Sequence, residues 1–223
     1  MMNIPIITPA IPSIRPVPLY PVENLPATVV MNVIAAFLAV GLAVFLGWTL
    51  HRVLISKNMV TNLPLNLILS GIIGLGLFLR FGLSTTLLQG LFLYCVLLYA
   101  SMSDLTTHTV DDFIWVIVCA LALMSIPTVG LTSMTIGALF VFIPQMALAL
   151  IPPHKTLGGA DIKLSTALAF LLGAWIGIGA YLAGLLLAVA FMSIYNRKKK
   201  DQQKKPFALV PFLSIGAMIA FLI

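Results

Sequence analysis

The chain has 223 residues, of which 61% are hydrophobic and only 8% are charged. Soluble domains carry about 25% charged residues, so a soluble globular fold is excluded and most of the apolar side chains must face lipid. The net charge of +6 reflects six acids against twelve bases, and this scarcity of acids, rather than an abundance of bases, argues against nucleic acid as a partner.

The N-terminal 26 residues differ in composition from the rest of the chain. They contain seven of the fourteen prolines and lack the basic stretch and apolar run of a cleavable signal peptide. We therefore predict that residues 1–26 form an extended, proline-rich arm outside the cytoplasm, followed by a membrane domain over residues 27–223.

Apolar segments dominate the remainder of the chain. The fold class that they predict is all-α, a polytopic transmembrane helix bundle of about eight spans, with six or seven as alternatives. No segment alternates polar and apolar residues over about ten positions, which argues against a transmembrane β-barrel. The segments are 27–50, 63–80, 83–103, 112–127, 131–151, 160–173, 175–195 and 206–223.

Helix-breaking residues mark several ends of these segments. Pro127 and Gly130 are predicted to end the fourth segment, and Gly173 the sixth. The fourth and sixth segments are shorter than the roughly 20 residues of a straight span, so they are either tilted, partly buried in the bundle or extended by their neighbours.

Basic residues indicate how the bundle is oriented. If the connection after helix n is called loop n, ten of the twelve bases fall on or beside loops 1, 5 and 7, and only Arg15 and Arg80 lie elsewhere. The positive-inside rule then places the odd-numbered loops in the cytoplasm. Asp104 closes the third helix and Asp161 opens the sixth, so both are predicted at the cytoplasmic edge.

Four of the six acids lie in two short polar interruptions, S-M-S-D-L-T-T-H-T-V-D-D and L-G-G-A-D-I-K-L. Carboxylates close to a bilayer are costly, which indicates that these are functional. Two neighbouring carboxylates share a proton, so that one can activate water while the other polarises a carbonyl group. Asp104 and Asp161 are therefore candidates for an aspartic protease, a chemistry that requires no cofactor.

The residues beside Asp161 fit a site of this kind. Gly158, Gly159 and Ala160 have little side-chain bulk, which either lets backbone and substrate approach Asp161 or lets two helices pack closely. Lys163 follows Asp161 by two positions and either lowers the pKa of Asp161, contacts substrate or extends its side chain to the cytoplasmic interface.

Asp111 and Asp112 have a simpler interpretation. A carboxylate is favoured at a helix N-terminus, so we predict that Asp112 caps the fourth helix and that Asp111 assists it. His108 follows Asp104 by four residues, a spacing that two metal ligands on a helix can have. No further His or Cys lies nearby in the sequence, so we predict no metal site.

Three stretches resemble motifs of the type IV prepilin peptidases. D-L-T-T-H-T-V-D-D resembles their first aspartate motif, an Asp followed six or seven residues later by Ile-Pro-Asp or Ile-Pro-Asn. G-G-A-D-I-K-L resembles the second, G-x-G-D followed by Val-Lys-Leu, and K-P-F-A-L-V-P-F-L is similar to the entry to the last helix. The resemblance covers roughly residues 85–223.

The resemblance implies an aspartic endopeptidase of the bacterial cytoplasmic membrane. Such an enzyme removes the leader from pilin-like precursors at the cytoplasmic face, and by position Asp104 and Asp161 would be its catalytic pair. The chain departs from the motifs at Asp111, which replaces proline, and at Ala160, which replaces glycine. Loop 1 (51–62) also lacks the larger insert with paired CxxC motifs, so the resemblance is to a peptidase-only branch without N-methylation.

Other functions are compatible with membrane carboxylates. A protease similar to presenilin or signal peptide peptidase also uses a G-x-G-D aspartate, but its first aspartate lies beside a tyrosine within a helix. A proton-coupled transporter would favour carboxylates at mid-span. A non-catalytic subunit of a pilus or secretion system is the third alternative.

Overall fold

The computed structural model describes residues 25–59, 61–150, 158–198 and 208–223. Within these ranges the chain forms helices and no strands, which confirms the predicted all-α polytopic bundle. Residues 1–24 of the predicted N-terminal arm lie outside the described residues. The helices are α1 (Leu25–Ser56), α2 (Leu63–Phe81), α3 (Thr85–Thr107), α4 (Phe113–Leu123), α5 (Ile126–Val129), α6 (Leu131–Leu150), α7 (Gly159–Leu172), α8 (Ala174–Lys198) and α9 (Val210–Leu222).

Five of the described helices, α1, α2, α3, α6 and α8, are long and apolar enough to cross a membrane. Three others are shorter, with 11 residues in α4, 14 in α7 and 13 in α9. Each of the eight predicted segments corresponds to one helix, except that α4 and α5 together occupy the fourth. The number of helices that cross the membrane stays a prediction.

Glycine ends two of the helices as the sequence predicts. Gly173, which follows α7, and Gly130, which follows α5, both have φ of 81°, a left-handed backbone that glycine adopts without strain. Pro127 does not end the fourth segment, because α4 already ends at Leu123 and Pro127 lies in the first turn of α5. That position suits proline, which has no N–H to donate.

Helix α3 lies in the centre of the bundle and α1 at its edge. In the most apolar stretch of α3 56% of the residues are buried inside the protein, against 11% for α1. Leu93 and Leu97 of α3 belong to the main buried cluster with Ile114 of α4 and Leu164 of α7. The outward side chains of α1 are large and apolar, as expected for a lipid-facing surface.

Small residues bring α8 and α9 into close contact. A Cβ atom added at Gly216 of α9 would lie 2.5 Å from the carbonyl oxygen of Ala180 and 3.0 Å from the backbone nitrogen of Gly184, both in α8. Membrane helices approach this closely only where side chains are small. This contact packs α9 closely against α8.

Candidate active site

Asp104 lies in the last turn of α3 and its side chain is only 7% exposed. Its Oδ2 atom accepts a hydrogen bond of 3.0 Å from the backbone N–H of Val210, the first residue of α9. Leu209, at the N-cap of α9, makes no side-chain capping bond, so Asp104 supplies the acceptor from another helix. A helix N-terminus has free N–H groups and a partial positive charge, which stabilise a carboxylate there.

Asp161 lies in the first turn of α7 and is half-buried. Gly158 is the N-cap residue of this helix, and its backbone hydrogen-bonds to the Asp161 carboxylate. A side chain at the third helical position commonly reaches back in this way to satisfy the N-cap N–H group. Both aspartates are thus anchored by backbone groups at helix ends.

Of the three small residues before Asp161, only Gly158 touches its carboxylate. A Cβ atom added at Gly158 would lie 3.0 Å from Asp161 Oδ2, whereas one added at Gly159 would meet nothing within 4 Å. Ala160 is half-buried. The shape of the site next to Asp161 therefore depends on Gly158.

The Asp104 and Asp161 carboxylates lie close enough to interact electrostatically, although they belong to helices separated by 51 residues from the end of one to the start of the other. We call them the aspartate pair. The repulsion between their charges makes it harder to ionise both acids than to ionise one of them. Chemically, two carboxylates that interact in this way can act as one proton acceptor and one proton donor.

The structure does not support side-chain capping by Asp111 and Asp112. Asp112 does occupy the N-cap position of α4, but its side chain makes no capping bond. Its Oδ1 atom instead forms an ion pair of 2.7 Å with Lys163 Nζ of α7. The Asp111 carboxylate accepts a hydrogen bond of 2.8 Å from the Tyr99 hydroxyl of α3. Tertiary contacts to a cation and a phenol have thus replaced the local capping bonds.

Lys163 therefore contacts Asp112 in the structure, and the two motifs are joined at the protein surface. The side chains of both residues are exposed, to 49% for Lys163 and 77% for Asp112. Exposed ion pairs contribute little to stability, because water screens them and their side chains lose freedom. The bond does show that the segment after α3 and the N-terminal part of α7 lie side by side.

His108 ends α3 in a left-handed conformation with φ of 51°, and its backbone N–H donates to the Asp104 carbonyl oxygen at 3.0 Å. This is a helix-ending role, which a non-glycine residue fills at some cost. Within the part of the chain that the structure describes, no three His, Cys, Asp or Glu side chains form a group that could hold a metal ion.

Sequence reasoning missed two of these contacts, those of Val210 and Tyr99. Val210 acts through its backbone, and a backbone donor has no signature in side-chain patterns. Tyr99 lies five residues before Asp104, and its partner Asp111 becomes a neighbour only because the chain reverses after α3. The only sequence feature that pointed to these contacts was the presence of the acidic residues, because an aspartate in an apolar chain needs a polar partner.

The sequence of the chain was compared with known protein families, curated proteins and solved structures, and one family matches. Residues 91–195 match the model of the type IV leader peptidase family. The matched stretch includes both aspartates and extends from α3 into α8. No curated protein and no solved structure is significantly similar to the chain.

Proposed function

We propose that this chain, whose residues 91–195 match the type IV leader peptidase family, is an aspartic endopeptidase of that family with Asp104 and Asp161 as catalytic residues. The observation that carries the proposal is the proximity of two carboxylates from different helices, each anchored by backbone N–H groups. Gly158 shapes the site, and Lys163, Asp111 and Asp112 connect the surrounding segments.

The reaction follows from one shared proton. A water molecule between the two carboxylates gives a proton to the ionised one and attacks the carbonyl carbon of the scissile peptide bond. The protonated carboxylate gives its proton to the carbonyl oxygen, which produces a neutral tetrahedral intermediate. When the C–N bond breaks, the protonated carboxyl group gives its proton to the departing amine nitrogen and the ionised carboxylate takes a proton from a hydroxyl group of the intermediate. The pair therefore ends singly protonated, as it began.

The proposed substrate is the precursor of a pilin-like protein, in the bacterial cytoplasmic membrane. Its apolar helix would enter the bundle from the lipid, with the leader in the cytoplasm beside the aspartate pair. The distribution of basic residues supports this orientation. A role in pilus assembly or protein secretion would follow from such a substrate.

Two observations favour this proposal over its competitors. Tyr99 hydrogen-bonds to Asp111 and not to Asp104, unlike the tyrosine beside the first aspartate that a presenilin-like protease would have. Both aspartates lie in the terminal turns of their helices, whereas a proton-coupled transporter would favour mid-span carboxylates.

The proposed activity does not include the N-methylation that the resemblance associates with a larger loop 1. Six residues, 57–62, connect α1 to α2, because α1 continues to Ser56. This connection is too short for a further domain with paired CxxC motifs. We therefore propose that the chain is a peptidase only.

Replacing either aspartate tests the mechanism. Asp104→Asn and Asp161→Asn keep the size of the side chain but leave only one carboxylate, so each should lower leader removal by at least about a thousandfold. The full chain is co-expressed with a pilin-like precursor, and the mass of the precursor is measured. Asp201→Asn is the matched control, because it makes the same chemical change at an aspartate that belongs to neither motif, and it should remove the leader at the wild-type rate. Leader removal at the wild-type rate by either variant of the pair would show that the two-aspartate mechanism is wrong.

A further inference from the structure

Two buried polar side chains contact each other between α6 and α7. Gln145 of α6 and Ser165 of α7 are each only 2% exposed. The Gln145 Nε2 atom lies 2.8 Å from Ser165 Oγ. Ser165 follows Asp161 by four residues, which places it one helical turn further along the same face of α7.

The distances around Ser165 define a chain of hydrogen bonds. Its Oγ atom lies 2.7 Å from the carbonyl oxygen of Asp161, 3.1 Å from Gln145 Oε1 and 3.2 Å from the carbonyl oxygen of Ile162. A hydroxyl group has one hydrogen to donate, and the shortest of these contacts is to Asp161. The Gln145 amide therefore donates to Ser165, and Ser165 donates to the backbone of Asp161.

Packing alone does not account for this pair. A buried amide or hydroxyl group costs free energy unless it is hydrogen-bonded, and apolar side chains of similar size would fill the same space. Gln145 also lies in a helix that is apolar enough to span the membrane, where polar groups are most costly. The bonds that it makes lead to the residue that carries one of the two carboxylates.

We infer that Gln145 is a positioning residue, which acts through Ser165 to fix the first turn of α7 and with it the direction of the Asp161 carboxylate. The inference rests on the proposed function for its effect on catalysis. Gln145 bonds to Ser165 rather than to the carboxylate, so it is not a catalytic residue. Orientation is important because a displacement of about 1 Å at a reacting group can cost a hundredfold in rate.

Steady-state kinetics on the full chain in lipid nanodiscs test the inference, with a purified pilin-like precursor as substrate. Gln145→Leu and Ser165→Ala should each lower kcat roughly tenfold to a hundredfold and leave KM unchanged. The double variant should be no slower than the slower single one, because the two residues act as one unit. Ser165→Thr retains the hydroxyl group and should recover most of the lost kcat. Changes in KM alone, or multiplicative losses in the double variant, would overturn the inference.

Gln89→Leu is the matched control. Gln89 is also a buried glutamine, 4% exposed, and its Nε2 atom donates to the Leu121 carbonyl oxygen and to Ser125 Oγ. It lies fifteen residues from Asp104 on α3, roughly 22 Å along the helix. Its replacement should lower stability as much as Gln145→Leu does, yet leave kcat near the wild-type value.

Hydrogen exchange separates this inference from the proposed function, since it needs no substrate. Gln145→Leu should speed exchange of the backbone amides of residues 161–165, and Gln89→Leu should not. Unchanged exchange in that segment would overturn the positioning role whatever the activity. If the wild-type chain leaves the precursor intact, the catalytic proposal fails, and the exchange rates still decide whether Gln145 holds the first turn of α7.

Discussion

The carboxylates of Asp104 and Asp161 are both fixed by the protein backbone, one by Val210 at the start of α9 and the other by Gly158 before α7. Backbone donors survive most side-chain substitutions, so the anchoring is robust to changes in sequence. What a substitution can change is the space beside each carboxylate. At Asp161, the residue whose enlargement would most directly displace the carboxylate is Gly158.

Gly158→Ala should lower the rate of leader removal about tenfold, because the new methyl group would lie 3.0 Å from Asp161 Oδ2 and push the carboxylate aside. Gly158 has φ of −70° and ψ of 136°, a backbone that alanine also adopts, so the effect is steric and not a matter of backbone strain. The measurement is the rate of precursor cleavage at equal amounts of enzyme.

Gly159→Ala is the control for that substitution. It makes the same chemical change one residue later, where the added methyl group meets nothing within 4 Å. Alanine also favours a helix more than glycine does, so this variant should cleave at the wild-type rate. Equal rates for the two variants would contradict the steric role of Gly158.

Individual residues show which parts of the site the sequence can predict. Asp104 and Asp161 could be singled out because a carboxylate near lipid is costly and needs a reason. The partners of Asp111 and Asp112 could not, because Tyr99 and Lys163 reach them only after the helices have packed. Local capping rules apply when no tertiary partner competes.

At the scale of helices, the apolar segments predict the elements well and several of their ends badly, by four to six residues. The fourth segment was predicted to run to residue 127, yet α4 ends at Leu123. The side chain of Gln89 in α3 donates to the Leu121 carbonyl oxygen, one of the last carbonyl groups of α4, which also accepts from the Met124 N–H group. A contact between helices therefore stabilises this end, and the local sequence carries no record of it.

Gly216→Ala should destabilise the protein by about 1–3 kcal/mol, because the added methyl group overlaps the backbone of α8 and forces α8 and α9 apart. The same displacement moves the Val210 N–H group, so leader removal should also slow. Thermal unfolding in detergent measures the stability.

Gly179→Ala is the control for the contact between these helices. Gly179 lies in α8, faces away from the bundle and has nothing within 4 Å of an added Cβ atom. This variant should unfold at the wild-type temperature or slightly above it, since alanine stabilises helices relative to glycine. A similar loss of stability in both variants would show that glycine itself, and not close packing, is needed in this region.

At the scale of the whole molecule, several helix ends converge on one side of the bundle. His51 near the end of α1, Asn62 before α2 and Met102 near the end of α3 line one cavity. Asp104 contacts the start of α9 and interacts with Asp161 at the start of α7. These are the ends that the distribution of basic residues predicts to face the cytoplasm, so sequence and packing agree on which ends share a side.

The basic residues predict that this side faces the cytoplasm, and thiol labelling tests that prediction. With Cys95 and Cys119 replaced by alanine, Lys57→Cys and Thr109→Cys should react with a membrane-impermeant reagent only after the cells are opened. Leu83→Cys, 64% exposed between α2 and α3, should react in intact cells, because one span separates it from each of the other two positions. If Thr109→Cys instead reacts in intact cells, the aspartate pair faces away from the cytoplasm and cannot meet a cytoplasmic leader. Lysine and arginine resist transfer across the membrane. We therefore expect the basic residues of the neighbouring loops, and not the aspartates themselves, to determine which side of the membrane the aspartate pair faces.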